Sequence, residues 1–290
     1  MLFSIGAPGR AALERPAGAP AGRAGHADIE ISTAAAGELL LEAATVRGVQ
    51  HRAVGQPRQD AFAIGTNRAD GEFESAVAVV CDGVGSLARS DEAADLVSRN
   101  LVRLRAQGLP WPDAFAAVND LLRATAEESL SASDSDPVAD GMATTAVAVS
   151  VCHVAGEWAG EVAWVGDSAL WHLSSDEQWT LLTGSSAGDG DADYHSSAVT
   201  ALPSGDGGCA SREFRFPDGS LFLMSDGVAN PLKWSSEVQK QLAIWWAFPP
   251  DPFTFAAQVG FARKSHMDDR TVIGIWASPA EKPAAEPGAP

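Results

Sequence analysis

The sequence predicts an α+β fold built from antiparallel sheets. Three observations carry that expectation. Short apolar strands follow one another in hairpin order, helices come in adjacent pairs rather than alternating with strands, and carboxylates recur at strand ends. The chain has 290 residues, 46% of them apolar, which is ample for a core. The central stretch is Glu74–Ser86, ESAVAVVCDGVGS, where the run Ala76–Cys81 meets Asp82 and then a glycine. Such a run reads as a buried strand closed by a turn signal, with Asp82 where the strand leaves the core. The same grammar recurs at Asp167 (VAWVGDSALW), Asp226 (LFLMSDGVAN) and Asp268 (SHMDDRTVIGIW).

Residues 1–42 begin rich in Ala, Gly and Pro without sustained periodicity and are expected to form a flexible tail, as are residues 278–290 (SPAEKPAAEPGAP). That leaves a folded domain over 43–277. Thr45–Val49 and Ala61–Ile64 read as short strands joined by the polar loop HRAVGQPRQD, and Asn67–Gly71 as a turn. Ser90–Ala106 carries Ala93, Ala94, Val97 and Leu101 at helical spacing, with Ser90 and Asp91 to cap it. A second helix runs over Pro112–Leu130 on Phe115, Val118, Leu122 and Ala126. SASDSDPVADG is a loop. Strands follow at Thr144–His153 and Glu161–Val165, with Gly166 and Asp167 as a tight hairpin corner before Ala169–Leu173. After Trp179–Leu182 comes a long acidic, glycine-rich segment, Gly184–Cys209, of the kind that is functional or disordered when found inside a domain. Strands at Glu213–Phe216 and Ser220–Met224, helices over 235–247 and 253–264, and a last strand at Thr271–Trp276 complete the reading.

Composition narrows the function. A net charge of -18 argues against nucleic acid and against an anionic membrane surface. No stretch approaches the roughly eighteen apolar residues of a membrane span. The start, MLFSIGAPGRAAL, is too short in apolar residues for a signal segment. Cys81, Cys152 and Cys209 share no metal-binding spacing, so a reducing cytoplasm is the expected setting.

If Asp82, Asp226 and Asp268 converge, they need a cation. Two carboxylates about 4 Å apart repel by roughly 4 kcal/mol at an effective dielectric near 20. Oxygen donors without His or Cys suit hard ions such as Mg²⁺ or Mn²⁺. A pair of such ions draws hydroxide from water and clamps a phosphoryl group, with no nucleophilic side chain required. The string Gly83–Ala88 has the form of a dinucleotide fingerprint, but Asp82 would face the pyrophosphate and the strand order is not βαβ.

Six motifs in order resemble the metal-dependent, type 2C protein phosphatase family, bacterial branch: QDAF at Gln59–Phe62, VCDGVG at Val80–Gly85, ATTA at Ala143–Ala146, VGDSALW at Val165–Trp171, SDGV at Ser225–Val228 and DDRTV at Asp268–Val272. The resemblance implies a sandwich of two antiparallel β-sheets flanked by pairs of α-helices. It implies a phosphoserine/phosphothreonine phosphatase acting on proteins modified by a Ser/Thr kinase, with two or three Mn²⁺ or Mg²⁺ ions. It also implies roles: Asp82 bridging two metals with the Gly83 carbonyl on the second, Asp226 and Asp268 on the first, Asp60 holding a metal-bound water, and Asp167 with Asp226 on a third. Asp60, Asp82 and Asp226 would be catalytic, and Gly184–Cys209 would supply the flap. The family's phosphate-binding arginine has no counterpart, since Gly55 stands there. Arg52 is the first candidate to replace it, ahead of His51 and Arg58. The other reading is a pseudophosphatase, a module that binds a phosphoprotein without turning it over.

Overall fold

A computed structural model describes residues 3–9, 27–69, 72–131, 141–184, 200–205 and 207–277. Eleven strands and six helices are named, in the order β1 Ile29–Ala36, β2 Leu39–Val46, α1 Val49–Val54, β3 Asp60–Ala69, β4 Glu72–Asp82, α2 Ser90–Ala106, α3 Trp111–Ser131, β5 Ala146–Val154, β6 Glu157–Val165, β7 Ala169–Leu173, β8 Trp179–Leu181, β9 Ala210–Phe216, β10 Ser220–Met224, α4 Asp226–Trp234, α5 Ser236–Trp246, α6 Pro252–Val259 and β11 Arg270–Ala277. They make a six-stranded sheet, β1-β2-β11-β10-β7-β8, and a five-stranded sheet, β3-β4-β5-β6-β9, with every strand pair antiparallel.

Side chains alternate across each strand, and the alternation sorts the core into three layers. Leu39, Leu41 and Ala43 of β2 face Ala76, Ala78 and Val80 of β4 and Val147 and Val149 of β5 between the sheets. The opposite faces of β4 and β5, through Val77, Val79 and Ala148, take Ala94, Val97 and Leu101 of α2 and Phe115 and Val118 of α3. On the far side Phe222, Met224 and Val272 lie under Val228, Leu242, Trp246 and Phe255 of α4–α6. Helix, sheet, sheet, helix is the sandwich that the sequence predicts.

Several local expectations change. The polar loop after β2 contains a short helix, α1, closed by Gly55 in the left-handed region at φ 73°. Gly166–Asp167 is no hairpin corner: β6 and β7 belong to different sheets, so the chain crosses the sandwich there. α4 starts at Asp226, where only a strand end was expected. The tail expected over 1–42 is corrected in part, because β1 and β2 occupy Ile29–Ala36 and Leu39–Val46. Residues 3–9 also pack, with Ile5 only 3% exposed and Ile5 N–H and Phe3 carbonyl bonded to Ala262. The expected loop SASDSDPVADG, most of Gly184–Cys209 and residues 278–290 fall outside the described residues.

Candidate metal centre

The sheet order explains why distant acids meet. β10 and β11 lie side by side, so their ends carry Asp226 and Asp268 to one edge of the sandwich. β3 and β4 pair with Asp60 opposite Asp82 at the same edge of the other sheet. The crossover at Gly166 delivers Asp167 between the sheets. Asp82, Asp167, Asp226 and Asp268 border one hollow of about 260 Å³, together with Gly83, Val84, Gly85, Thr145, Gln59 and His51. Larger hollows lie elsewhere, but neither the one beside Arg105 nor the apolar one beside Phe248 gathers a comparable set of acids.

The backbone around the acids is held tightly. The Asp82 carbonyl accepts from Thr145 N–H at 2.8 Å and from the Thr144 hydroxyl at 2.9 Å. Thr145 and Ser168 hydroxyls lie 2.7 Å apart, fastening the crossover to the start of β5. Gly83 passes so close to its neighbours that a Cβ would sit 2.6 Å from the Ser90 carbonyl and 2.8 Å from that of Gln59. No side chain fits there, which leaves the Gly83 backbone facing the hollow. At Gly227 a Cβ would fall 1.9 Å from the Asp269 carbonyl, so only glycine lets α4 begin against β11.

Electrostatics mark the cluster. Burial, and then the charges of Asp60, Asp226, Asp268 and Asp167, push the Asp82 carboxyl well above the usual range. Burial followed by Asp268 and Asp167 raises Asp226 to about 6, partly offset by a hydrogen bond with Asp82. Burial also raises Asp167. Asp60 does not border the hollow; it is fully buried behind it, accepts from the Thr271 hydroxyl at 2.8 Å, and is raised by burial and by Asp269. Carboxyls that burial and mutual repulsion hold partly protonated are what a divalent cation would return to the charged form. An all-oxygen set with a backbone carbonyl beside it fits a hard ion.

Two findings lie outside the sequence reading. Asp269 is 2% exposed, and its carboxylate accepts from Gly48 N–H and Gln59 N–H, both at 2.6 Å. His51 Nδ1 lies 2.9 Å from Asp269 Oδ1 and 4.0 Å from Asp268 Oδ1. One ligand atom from each of these three comes within 4.8 Å of the others. The signal for Asp269 was its place beside Asp268, directly before β11: a carboxylate buried there needs donors.

Arg52 is a correction. It lines a separate cleft with Arg47, Phe261 and His266, sharing only Asp268 with the acidic hollow. α1 turns it there, because a helix in place of a loop sends residues 51 and 52 in different directions. Arg58 points away too, pairing with Glu30 at 2.9 Å. His51 is the one candidate of the three that borders the hollow.

A family model described as protein phosphatase 2C matches residues 47–258. The chain belongs to that family. Asp268 lies beyond the matched stretch, and the pairing of β10 with β11 is what brings it to the site. Among solved structures the fold is similar to the catalytic domain of the serine threonine protein phosphatase PstP in complex with two manganese ions, at 20% identity and TM-score 0.55, covering 82% of this chain and 97% of that one. It is similar to a bacterial serine phosphatase at 18% identity and TM-score 0.55, over 82% and 97%. It is also similar to the serine/threonine phosphatase Stp1 from Staphylococcus aureus at 18% and 0.52, over 88% and 98%. No curated protein sequence matches the chain. Among the described residues no helix is long and apolar enough to cross a membrane.

Proposed function

We propose that this member of the protein phosphatase 2C family hydrolyses phosphoserine and phosphothreonine on proteins, in a reaction that requires Mn²⁺ or Mg²⁺. The observation that carries the reading is the hollow itself: acids from four separate strand ends border it, and burial with mutual repulsion raises three of them. Two or three divalent ions there would supply Lewis acidity toward the phosphoryl oxygens and a nucleophile drawn from water.

The protein's own residues hold and orient. Asp82, Asp226 and Asp268 would supply carboxylate ligands, Gly83 its carbonyl, and Asp167 a further carboxylate. Asp60, behind them, receives the Thr271 hydroxyl and is one of the acids whose charge raises Asp82. Gln50, His51, Gln56, Gln59 and Thr145 are the neutral or ionisable polar side chains that border the hollow, and Gln59 Oε1 has no hydrogen-bond donor among the described residues. With no Arg or Lys bordering the hollow among those residues, the substrate phosphate is left to the cations and to these groups.

That lack of a lining arginine is also what favours the second reading, a phosphoprotein-binding module without turnover. The test is hydrolysis of p-nitrophenyl phosphate and of a phosphothreonine peptide with Mn²⁺ present. Turnover that requires Mn²⁺ and disappears in Asp226→Ala is the expected result. Phosphopeptide binding with no phosphate released overturns the enzyme and leaves the module.

A further inference from the structure

Asp268 reaches the acidic hollow on the loop that joins α6 to β11, residues 260–269. Two sets of contacts hold this loop. One comes from the sandwich: Arg270, 5% exposed, donates to the carbonyls of Phe261 and His266, the latter at 2.8 Å, and the Met267 carbonyl accepts Gln50 N–H at 3.0 Å. The other comes from residues 3–9, far away in sequence. Ser4 and Ala262 form a parallel bridge, the Phe3 carbonyl takes Ala262 N–H, and the Ala7 carbonyl takes Lys264 N–H. Ile5 anchors the segment in the core under α4–α6.

Arg263 joins this segment to a second acid-bearing element. Its guanidinium donates to the Ile5 carbonyl at 3.1 Å, to Glu237 Oε2 at 3.0 Å and to Ser235 Oγ at 3.1 Å. Ser235 follows the last residue of α4, and Asp226 is the first residue of that helix. One side chain thus links residues 3–9, the helix that Asp226 opens and the loop that Asp268 closes. Neither Ile5 nor Arg263 borders the hollow. Their reach into it runs through backbone position alone.

We propose that residues 3–9 form a strap that sets where Asp268 stands relative to Asp226, which makes Ile5 and Arg263 positioning residues for the divalent ion. The proposal rests on the reading of the hollow as a metal centre and does not require turnover. A ligand carboxylate binds an ion at full strength only if it already stands near its bonding position, and the groups that orient it share in the affinity. With the strap in place the loop is bonded from both directions. With the strap loosened, the loop spends part of its time elsewhere, and apparent affinity falls by the fraction of time that it is misplaced.

The experiment uses the full chain and the variants Ile5→Ala, Arg263→Ala and Arg263→Lys. Val118→Ala, a truncation in the separate core under α2 and α3, serves as a control for lost stability. Each is titrated with Mn²⁺ by calorimetry at a temperature where circular dichroism shows it folded, and amide hydrogen exchange is followed over residues 261–268. Arg263→Ala is expected to weaken Mn²⁺ binding about tenfold, the lower end of the range for groups that orient metal ligands. Ile5→Ala, which leaves the backbone bonds in place, weakens it by about threefold, and Arg263→Lys falls between Arg263→Ala and the parent. Exchange over the loop quickens in both alanine variants, while Val118→Ala binds Mn²⁺ as the parent does. Parental affinity in Ile5→Ala and Arg263→Ala, or an equal loss in Val118→Ala, overturns the strap. Absence of phosphate release with the differences in Kd intact upholds the strap and removes only the hydrolytic reading; a parent chain that takes up no Mn²⁺ overturns both.

Discussion

The Asp269 carboxylate accepts the backbone N–H of Gln59 at 2.6 Å, joining the start of β11 to the start of β3 across the two sheets. Its other oxygen takes Gly48 N–H at 2.6 Å, and His51 lies against it at 2.9 Å. One buried side chain thus holds the segment before Asp60 against the segment bearing Asp268. Hydrogen bonds to a charged group contribute about 1.5–3 kcal/mol each, and their loss here strands two buried N–H groups. Asp269→Ala is expected to destabilise by about 3–5 kcal/mol in urea unfolding. Asp269→Asn keeps one acceptor and should cost markedly less. Equal stability for Ala and the parent protein would remove Asp269 from its role as a tie between the sheets.

The acidic cluster sets stability against function. Asp226 is raised to about 6, so without a cation its ionisation disfavours the fold. The sign follows from linkage: the native state holds this proton more tightly than the unfolded chain. Stability is therefore greatest below the ordinary carboxylate pKa and falls as pH rises toward about 6. Asp226→Asn removes that repulsion. In chelator at pH 7 the variant should be more stable than the parent by about 1–2 kcal/mol, allowing for partial solvent screening. In Mn²⁺ the order should invert, because the parent gains binding free energy that the variant loses. Thermal melts with and without Mn²⁺ measure both.

How far the sequence disclosed this site depended on distance along the chain. Asp82, Asp167, Asp226 and Asp268 were legible because each stands at the edge of an apolar run, and such runs are marked locally. The antiparallel α+β class was legible from hairpin order and paired helices, whereas the two-sheet sandwich came from the family resemblance. What stayed hidden were features set by contacts between segments. Ile29–Ala36 buries only Ala36 fully and becomes a strand because β2 offers it a partner along its full length. Arg52 is aimed by α1, a helix of six residues with no periodicity to betray it. Gly166–Asp167 has the composition of a hairpin turn, and only the sheet order reveals a crossover. Trp171 of β7 and Lys233 of α4 border one hollow, a meeting of elements that local pattern cannot disclose.

The amino-terminal residues are structural, which sequence composition concealed. Phe3–Gly9 runs beside Ala262–Lys264, with Ile5 N–H to Ala262 O at 3.2 Å, Ala262 N–H to Phe3 O at 2.8 Å and Lys264 N–H to Ala7 O at 2.8 Å. Phe3 meets Trp245 edge to face at 5.4 Å between ring centroids, and the Arg263 guanidinium donates to the Ile5 carbonyl at 3.1 Å. Ile5 joins the core under α4–α6. Truncating a buried Ile to Ala costs about 2–5 kcal/mol, and a site near a terminus can relax toward the lower end. Ile5→Ala should therefore lower unfolding free energy by about 2 kcal/mol, read in guanidinium titration. A change near zero would mean that the segment does not contribute to folding in solution.

Glu42 gives a pH dependence separate from the acidic centre. It lies on β2 between Leu41 and Ala43, on the face turned toward the helices, is 4% exposed, and its Oε2 finds no donor among the described residues. Burial, then the charge of Asp251 at the start of α6, raises its carboxyl to about 7. The group is therefore protonated in the fold at mild acidity and must ionise against its surroundings at higher pH. The stability it permits is complete below its ordinary value of 4.5 and is lost as pH climbs through about 7. Glu42→Gln keeps the shape and cannot ionise. Its stability should match the parent near pH 5 and exceed it by about 1–2 kcal/mol at pH 8, a gap short of the full shift because solvent reaches part of the site. Urea midpoints at the two pH values, in chelator so that metal binding adds nothing, measure the difference; parallel curves at both would show that Glu42 ionises at no cost to the fold.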